Sequence, residues 1–177
     1  MNSFEFHIGA NSISNLHEPN YMVFDLDPDE GLSLEKLREG VLDLKQILDS
    51  LSLPSFLKTS GKKGYHVVVP ITQMKWSEFR LFAKRIAEVM EKKWPDKYTS
   101  KMSKQKRRGK IFIDWVRNTL GASSVAPYSV RLKENLPVSM PIKWSELYKI
   151  KPDGITMKEA LRRLKNKDPW ADFYDFY

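Results

Sequence analysis

Short β-rich runs interleaved with two long amphipathic helices predict an α/β or α+β protein in which the helices pack on a sheet. Three observations carry this expectation. Runs such as "YMVFDLDP" and "YHVVVPI" are β-branched and aromatic, two longer stretches repeat apolar residues at helical spacing, and glycine or proline punctuates the boundaries. In chain order, "SFEFHIG" alternates as a short strand from Phe4 to Ile8, and "NYMVFDLDPDEG" is a strand stopped by Pro28 and Gly31. Apolar positions 34, 37, 41, 44, 48 and 51 form a helical stripe that Ser33 can cap, with Glu35 in its first turn. "SFLKTS" and "YHVVVPI" read as strands around a glycine-containing turn. A second helix spans about Ser77 to Lys93, with Phe79, Phe82, Ala83, Ile86, Val89 and Met90 inward and Pro95 ending it. Residues 101–110 read as a loop, "IFIDWV" as a strand carrying Asp114, and "SVAPYSVRL" as a strand carrying Arg131. Trp144 to Tyr148 suits one or two helical turns, Thr156 and Glu159 a capping box for "MKEALRRLKN", and "DPWADFYDFY" a packed tail rather than a stacking platform. No internal repeat or low-complexity segment interrupts the pattern.

A length of 177 residues favours one domain, and 41% hydrophobic with 12% aromatic residues can fill a core. Thirty basic residues against 22 acidic leave a net charge of +8 and a pI near 9.5, which points to a polyanionic partner, nucleic acid first. The plainer reading is a lysine-rich surface that keeps the protein soluble. The absence of cysteine excludes disulfides, thiolate zinc sites and cysteine nucleophiles. No apolar run approaches the ~18 residues of a membrane span, and "MNSFEFHIGANS" is not a signal peptide, so an intracellular, cytoplasmic protein without a membrane partner is expected.

Asp25 and Asp27 are the sharpest chemical feature. Residues two apart on a strand share a face, so both carboxylates project together and repel unless a cation or proton lies between them. The alternative is a strand-end turn, Asp27-Pro28-Asp29, with Asp25 solvated. Asp114 ends another β-rich run and can bring a third carboxylate to the same sheet end; three carboxylates suit two Mg²⁺ or Mn²⁺ ions. In "LKTSGKKGYHVVVPI", Ser60, Gly61 and Gly64 can offer backbone N–H groups and a hydroxyl to phosphate oxygens, Lys63 adds charge, and His66 an imidazole donor. The competing reading is a β-turn with surface lysines. Arg131 can reach the same phosphates or pair with a surface acid. Six basic residues, Lys101, Lys104, Lys106, Arg107, Arg108 and Lys110, can follow a phosphate backbone or form a solvated charge run. His7, by spacing alone, is a structural histidine.

"YMVFDLDP", "LKTSGKKGYHVVVP", "MSKQKRRGKIFIDWVRN" and "SVAPYSVR", in that order, strongly resemble the polymerase/primase domain of bacterial and archaeal non-homologous end-joining ligases, the LigD-type branch of the archaeo-eukaryotic primase superfamily. With "FEFHIGANSISNLHEPNY" upstream and "PVSMPIKWSEL" and "DPWADF" downstream, the resemblance covers nearly the whole chain. It implies an α+β fold with a mixed, antiparallel β-sheet core flanked by helices, the RRM-like catalytic fold, as one domain over residues 1–177. It implies metal binding by Asp25, Asp27 and Asp114, triphosphate contacts from Ser60, Lys63, His66 and Arg131, a place for His7 near the incoming nucleotide, and one for Thr59 near its sugar. The implied activity is template-dependent addition of NTP or dNTP, with ribonucleotides preferred, to a primer 3′ end at gapped or broken DNA. Ku and a DNA ligase are the implied partners, and the nucleoid the implied place of action. The family's usual N-terminal portion, which supplies nucleotide-stacking aromatics and a 5′-phosphate pocket, is not matched here; a separate chain is one way to provide it. Two rival readings remain. One is a phosphatase using Asp-x-Asp, from which Asp29 and the absent late acidic motif depart. The other is a non-catalytic, basic DNA end-binding module.

Overall fold

The computed structural model describes residues 4–176 apart from 14 and 73. The chain runs β1 (His7–Ile8), β2 (Tyr21–Pro28), α1 (Leu34–Ser50), β3 (Phe56–Thr59), β4 (Tyr65–Pro70), α2 (Trp76–Lys93), β5 (Tyr98–Thr99), α3 (Lys104–Arg107), β6 (Ile111–Asp114), β7 (Ser124–Val125), β8 (Pro141–Ile142) and α4 (Met157–Arg163), with 3₁₀ turns at Trp144–Glu146 and Phe173–Phe176. Six strands form one sheet in the order β5-β6-β2-β4-β3-β8, and β1 pairs with β7 separately. Every adjacent pair in the large sheet is antiparallel except β5–β6, which is parallel. The expected α+β class with a mixed, mainly antiparallel sheet is what the chain adopts.

Alternation divides the sheet into two faces with different fates. Met22, Phe24, Leu26, Leu57, Val67, Val69, Ile111 and Ile113 lie on one face, fully buried with the stripes of α1 (Leu37, Val41, Leu44, Leu48) and α2 (Phe79, Ala83, Ile86, Ala87, Met90). Burying each such side chain contributes roughly 1.5–3 kcal/mol, so this face fixes the register: a one-residue slip would turn it outward. The Ser33 hydroxyl caps α1 by accepting from the Lys36 N–H. In α2 the apolar spacing predicts Val89 inward, but it is exposed, and Ala87 completes the stripe.

The opposite face carries Tyr21, Val23, Asp25 and Asp27 on β2. Its apolar end, Tyr21, Val23, Phe56 and Val68, lies under the C-terminal tail, where Phe173 meets Phe56 edge-on at 5.0 Å and stacks with Trp170 at 5.2 Å. The tail is packed, as expected; residue 177 lies outside the described residues. The polar end of this face is left open.

Three expectations are corrected. The strand expected over Phe4–Ile8 is only His7–Ile8. The expected strand "SVAPYSVRL" keeps only Ser124–Val125; Tyr128 has φ +66°, and Arg131 follows an isolated Val130–Val138 bridge, outside any strand. The basic segment contains one helical turn, α3, because Ser103 to Arg107 can close i→i+3 bonds (Lys106 N–H to Ser103 O, 3.0 Å).

Candidate active site

One cross-strand rank builds the site. Lys58 on β3 faces His66 on β4, His66 faces Asp25 on β2, and Asp25 faces Asp114 on β6. Paired residues share a face, so these four side chains stand in a row on the face of the sheet opposite α1 and α2. Asp27 is two residues along, on the same face. Two acids directly opposite each other are destabilising unless a cation intervenes, and Arg117 supplies it: its Nη2 lies 3.7 Å from Asp25 Oδ2 and its Nε 3.1 Å from Asp114 Oδ2. Arg107 approaches Asp27 at 3.6 Å while its guanidinium lies over the Phe112 ring.

The electrostatics follow from this crowding. Burial pushes the Asp25 carboxyl up, but His66, Arg117 and Lys58 together bring it below the ordinary carboxylate range. Asp27 is raised by burial and by the Asp25 charge, and Asp114 by burial with Asp25 adding to it. His66 is lowered to about 4 by burial and by Lys58. At neutral pH the ring is therefore uncharged, and it supports Asp25, 3.4 Å away, as a dipole rather than a cation. Lys58, fully buried, donates to Val125 O at 2.9 Å and Ser139 Oγ at 2.8 Å, and burial pushes its pKa down to about 7.

The turn of the β3–β4 hairpin closes over the rank. Gly61 has φ +70°, a conformation glycine adopts without strain. A Cβ on Gly64 would stand 2.3 Å from Leu26 O and 3.2 Å from Asp25 Oδ1, so only glycine lets the hairpin lie this close to the acidic strand. The N–H groups expected to be open toward phosphate are engaged: Ser60 donates to Gly64 O at 3.1 Å, Gly61 to Pro152 O at 2.9 Å and Gly64 to Ser60 Oγ at 3.2 Å, and the same hydroxyl accepts from Lys62 N–H at 3.1 Å. Ser60 thus organises the turn, and Gly61 shapes it. Arg131, itself buried, donates to Ser60 O at 2.8 Å and meets Glu5 Oε2 at 3.1 Å. Burial raises Glu5, but the His7 hydrogen bond, Arg131 and the Leu132 N–H bring it down to about 2.

A cleft of about 510 Å³ gathers His7, Asp25, Asp27, Ser60, Lys63, Gly64, His66 and Arg131, together with Lys62, Arg117 and Lys133. Asp114 joins this group through Arg117. Thr59 does not: it is fully buried, one residue out of phase with Lys58, and its hydroxyl serves the 138–140 segment, donating to Val138 O at 3.0 Å and accepting from Met140 N–H at 2.9 Å. Of the basic segment, Arg107 turns to Asp27 and Lys110 donates to Pro95 O at 2.6 Å, whereas Lys101, Lys104, Lys106 and Arg108 are exposed. Sequence reasoning missed Arg117, Lys133 and Lys58. Arg117, three residues after Asp114, and Lys58, a lysine inside an apolar strand, left a local signal; Lys133 left none.

Among the described residues no three acidic or histidine side chains close into a ready cation cage. The donor set nevertheless fits a hard divalent cation: three carboxylates on one face of adjacent strands, two of them facing each other and now neutralised by a guanidinium. A second cleft, also about 510 Å³, shares Lys62, Lys63 and Lys133 and runs between Lys151 and the start of α1. No helix among the described residues is long and apolar enough to cross a membrane.

The family model described as "LigD, primase-polymerase domain" matches residues 1–170. The chain is 39% identical over 178 residues to the multifunctional non-homologous end joining protein LigD of Pseudomonas aeruginosa, covering 98% of this chain and 21% of that protein. It is 29% identical to the bifunctional LigD of Bacillus subtilis over 178 residues, covering 99% of this chain and 29% of that protein. It therefore spans less than a third of these relatives. The polymerase domain of Mycobacterium tuberculosis Ligase D, solved in complex with DNA, superposes with a TM-score of 0.79 at 31% identity, covering 94% of this chain and 60% of that one.

Proposed function

Because the chain belongs to the LigD primase-polymerase domain family, a nucleotidyltransferase family of non-homologous end joining, we propose that it adds nucleotides to a primer 3′ end at gapped or broken DNA, copying a template and preferring ribonucleotides. The observation that carries this reading is that Asp114 faces Asp25 and Asp25 faces His66 across the sheet, with Asp25, Asp27 and His66 lining a cleft that also holds Lys63 and Arg131. Asp25, Asp27 and Asp114 would hold two Mn²⁺ or Mg²⁺ ions, which supply activation of the 3′ hydroxyl and neutralisation of the leaving pyrophosphate. Lys62 and Lys63, on the turn that Arg131 stiffens, bind the triphosphate together with Lys133. His66 keeps Asp25 ionised and oriented, and His7, held by Glu5 at 2.9 Å, lies at the cleft edge where the nucleoside leaves the phosphates. The 3′ oxygen attacks the α-phosphorus in line, the bond to the bridging oxygen breaks, pyrophosphate departs, and the hydroxyl proton passes to water.

DNA is the polyanion that the +8 charge and the exposed Lys101, Lys104, Lys106 and Arg108 accommodate. Ku and a DNA ligase are the proposed partners, in the cytoplasm at the nucleoid. The deciding experiment is extension of a 5′-phosphorylated gapped duplex with Mn²⁺, comparing NTP with dNTP, alone and with Ku and ligase. Incorporation is expected, faster with NTP, and reduced at least about a hundredfold by Asp25→Asn with duplex binding retained. No incorporation under any condition would leave the non-catalytic end-binding reading, which the exposed basic rim favours. β2 is antiparallel to both neighbours and the family is a polymerase one, and both argue against the phosphatase alternative.

A further inference from the structure

We propose that Arg117 is an exchangeable counter-ion: it neutralises Asp25 and Asp114 when no divalent cation is bound, and turns to the polyphosphate of the incoming nucleotide when one is. The inference rests on the nucleotide-transfer reading and adds to it a residue that the sequence did not single out.

Arg117 is held loosely. Its Nε is 3.1 Å from Asp114 Oδ2, yet that nitrogen is buried without a hydrogen bond, so the pair is a charge contact with poor angles. Nη2 is 3.7 Å from Asp25, and Nη1 reaches Ser123 O only at 3.4 Å. No contact in this set is a short, well-aligned fork of the kind that locks an arginine. Arg131, by contrast, is 6% exposed and donates to Ser60 O at 2.8 Å; it is a fixed strut.

The backbone beneath Arg117, by contrast, is tied down by well-formed hydrogen bonds. β6 ends at Asp114, so the edge of β2 at Val23 would be left unpaired. Asn118 covers it: its Oδ1 accepts from Val23 N–H at 2.8 Å, and its Nδ2 donates to Val23 O at 2.8 Å and to Trp115 O at 2.9 Å. Val116 N–H in turn donates to Asp114 Oδ1 at 3.0 Å. A rigid platform therefore carries a loosely held guanidinium.

The choice of destination follows from the cleft. The Arg117 side chain is 38% exposed and lines the same cleft as Lys63, Ser60 and Arg131, where the triphosphate is placed. Guanidinium and divalent cation cannot both neutralise the same two facing carboxylates. When a cation takes those oxygens the guanidinium meets like charge, and phosphate oxygens are the nearest negative groups once a nucleotide is bound. One residue thus keeps the apo acids from repelling each other and later grips the substrate.

The test separates competition from simple support. Mn²⁺ is titrated by calorimetry into nucleotide-free wild type, R117Q and R117K, thermal unfolding is recorded in EDTA, and the KM for NTP is measured. R117Q is expected to bind Mn²⁺ on the order of tenfold more tightly than wild type, to unfold at lower temperature in EDTA, and to raise the KM for NTP on the order of tenfold. R117K keeps the charge without the fork, shifts both constants by a smaller factor in the same directions, and carries the comparison should R117Q fail to fold. Equal or weaker Mn²⁺ binding by the variants, with wild type binding Mn²⁺ and extending primers, overturns this inference alone. Absence of Mn²⁺ binding in all three proteins overturns it together with the metal site proposed above.

Discussion

Lys58 offers a sharp physical test, because a fully buried lysine makes stability depend on pH in a calculable way. Its ammonium bonds Val125 O and Ser139 Oγ with only 1% of the residue exposed. Burial, with smaller help from Arg131 and Arg117 and against Asp25, pushes its pKa from 10.5 to about 7. Between those two values the unfolded chain holds a proton that the native protein lacks, so native stability rises with pH there; the full cost is present below pH 7. Integrating that difference gives a rise of about 2 kcal/mol from pH 7 to pH 9. Lys58→Met removes the titrating group and leaves two acceptors short of a donor, at about 1–3 kcal/mol each and independent of pH. The informative quantity is therefore the stability of wild type minus that of the variant, from urea unfolding at pH 7, 8 and 9. It should climb by about 2 kcal/mol across the series. A flat difference, or one that falls, would refute the claim that Lys58 is desolvated in the native state.

Asn118→Ala should cost about 2–4 kcal/mol, since it strands both the N–H and the C=O of Val23 at a sheet edge; the urea midpoint should fall with m unchanged, and an Asn118→Ser variant should recover only part of the loss. Replacing Lys104, Lys106 and Arg108 together by alanine should weaken duplex binding evenly across sequences and lower the salt slope of log K by about 0.9 for each phosphate that these side chains no longer neutralise, as read by anisotropy at several salt concentrations. An unaltered slope would mean that α3 and its flank do not face DNA.

Much of the frame was legible because its signals are local. The 3.6-residue stripe of α1, its Ser33 cap, the Asp-x-Asp spacing and the glycines between β3 and β4 each depend on neighbours within one element. Legibility failed where a residue's role depends on a distant segment. "SVAPYSVRL" has the composition of a strand, yet past Val125 it is bent by Tyr128 in the left-handed region and tied by Ser139 N–H to Ser129 O. Ser60 and Gly61 looked open to a ligand, but Pro152, far along the chain, takes the Gly61 amide. Thr59 took its expected role from family likeness, whereas strand alternation places it opposite Lys58 and away from the cleft.

Residue type and spacing alone marked Asp25 and Asp27 as two acids on one face, a hydrophobic core sufficient for a folded unit, and a surface suited to a polyanion, because period and charge are properties of adjacent residues. Convergence was decided elsewhere. That Asp114 stands opposite Asp25, that His66 and Lys58 extend the row, and that Arg117 neutralises it are consequences of register between strands separated by tens of residues. Register is set by which apolar face the helices cover. The site exists because burying Met22, Phe24 and Leu26 beneath α1 and α2 leaves Asp25 and Asp27 on the opposite face, facing the cleft.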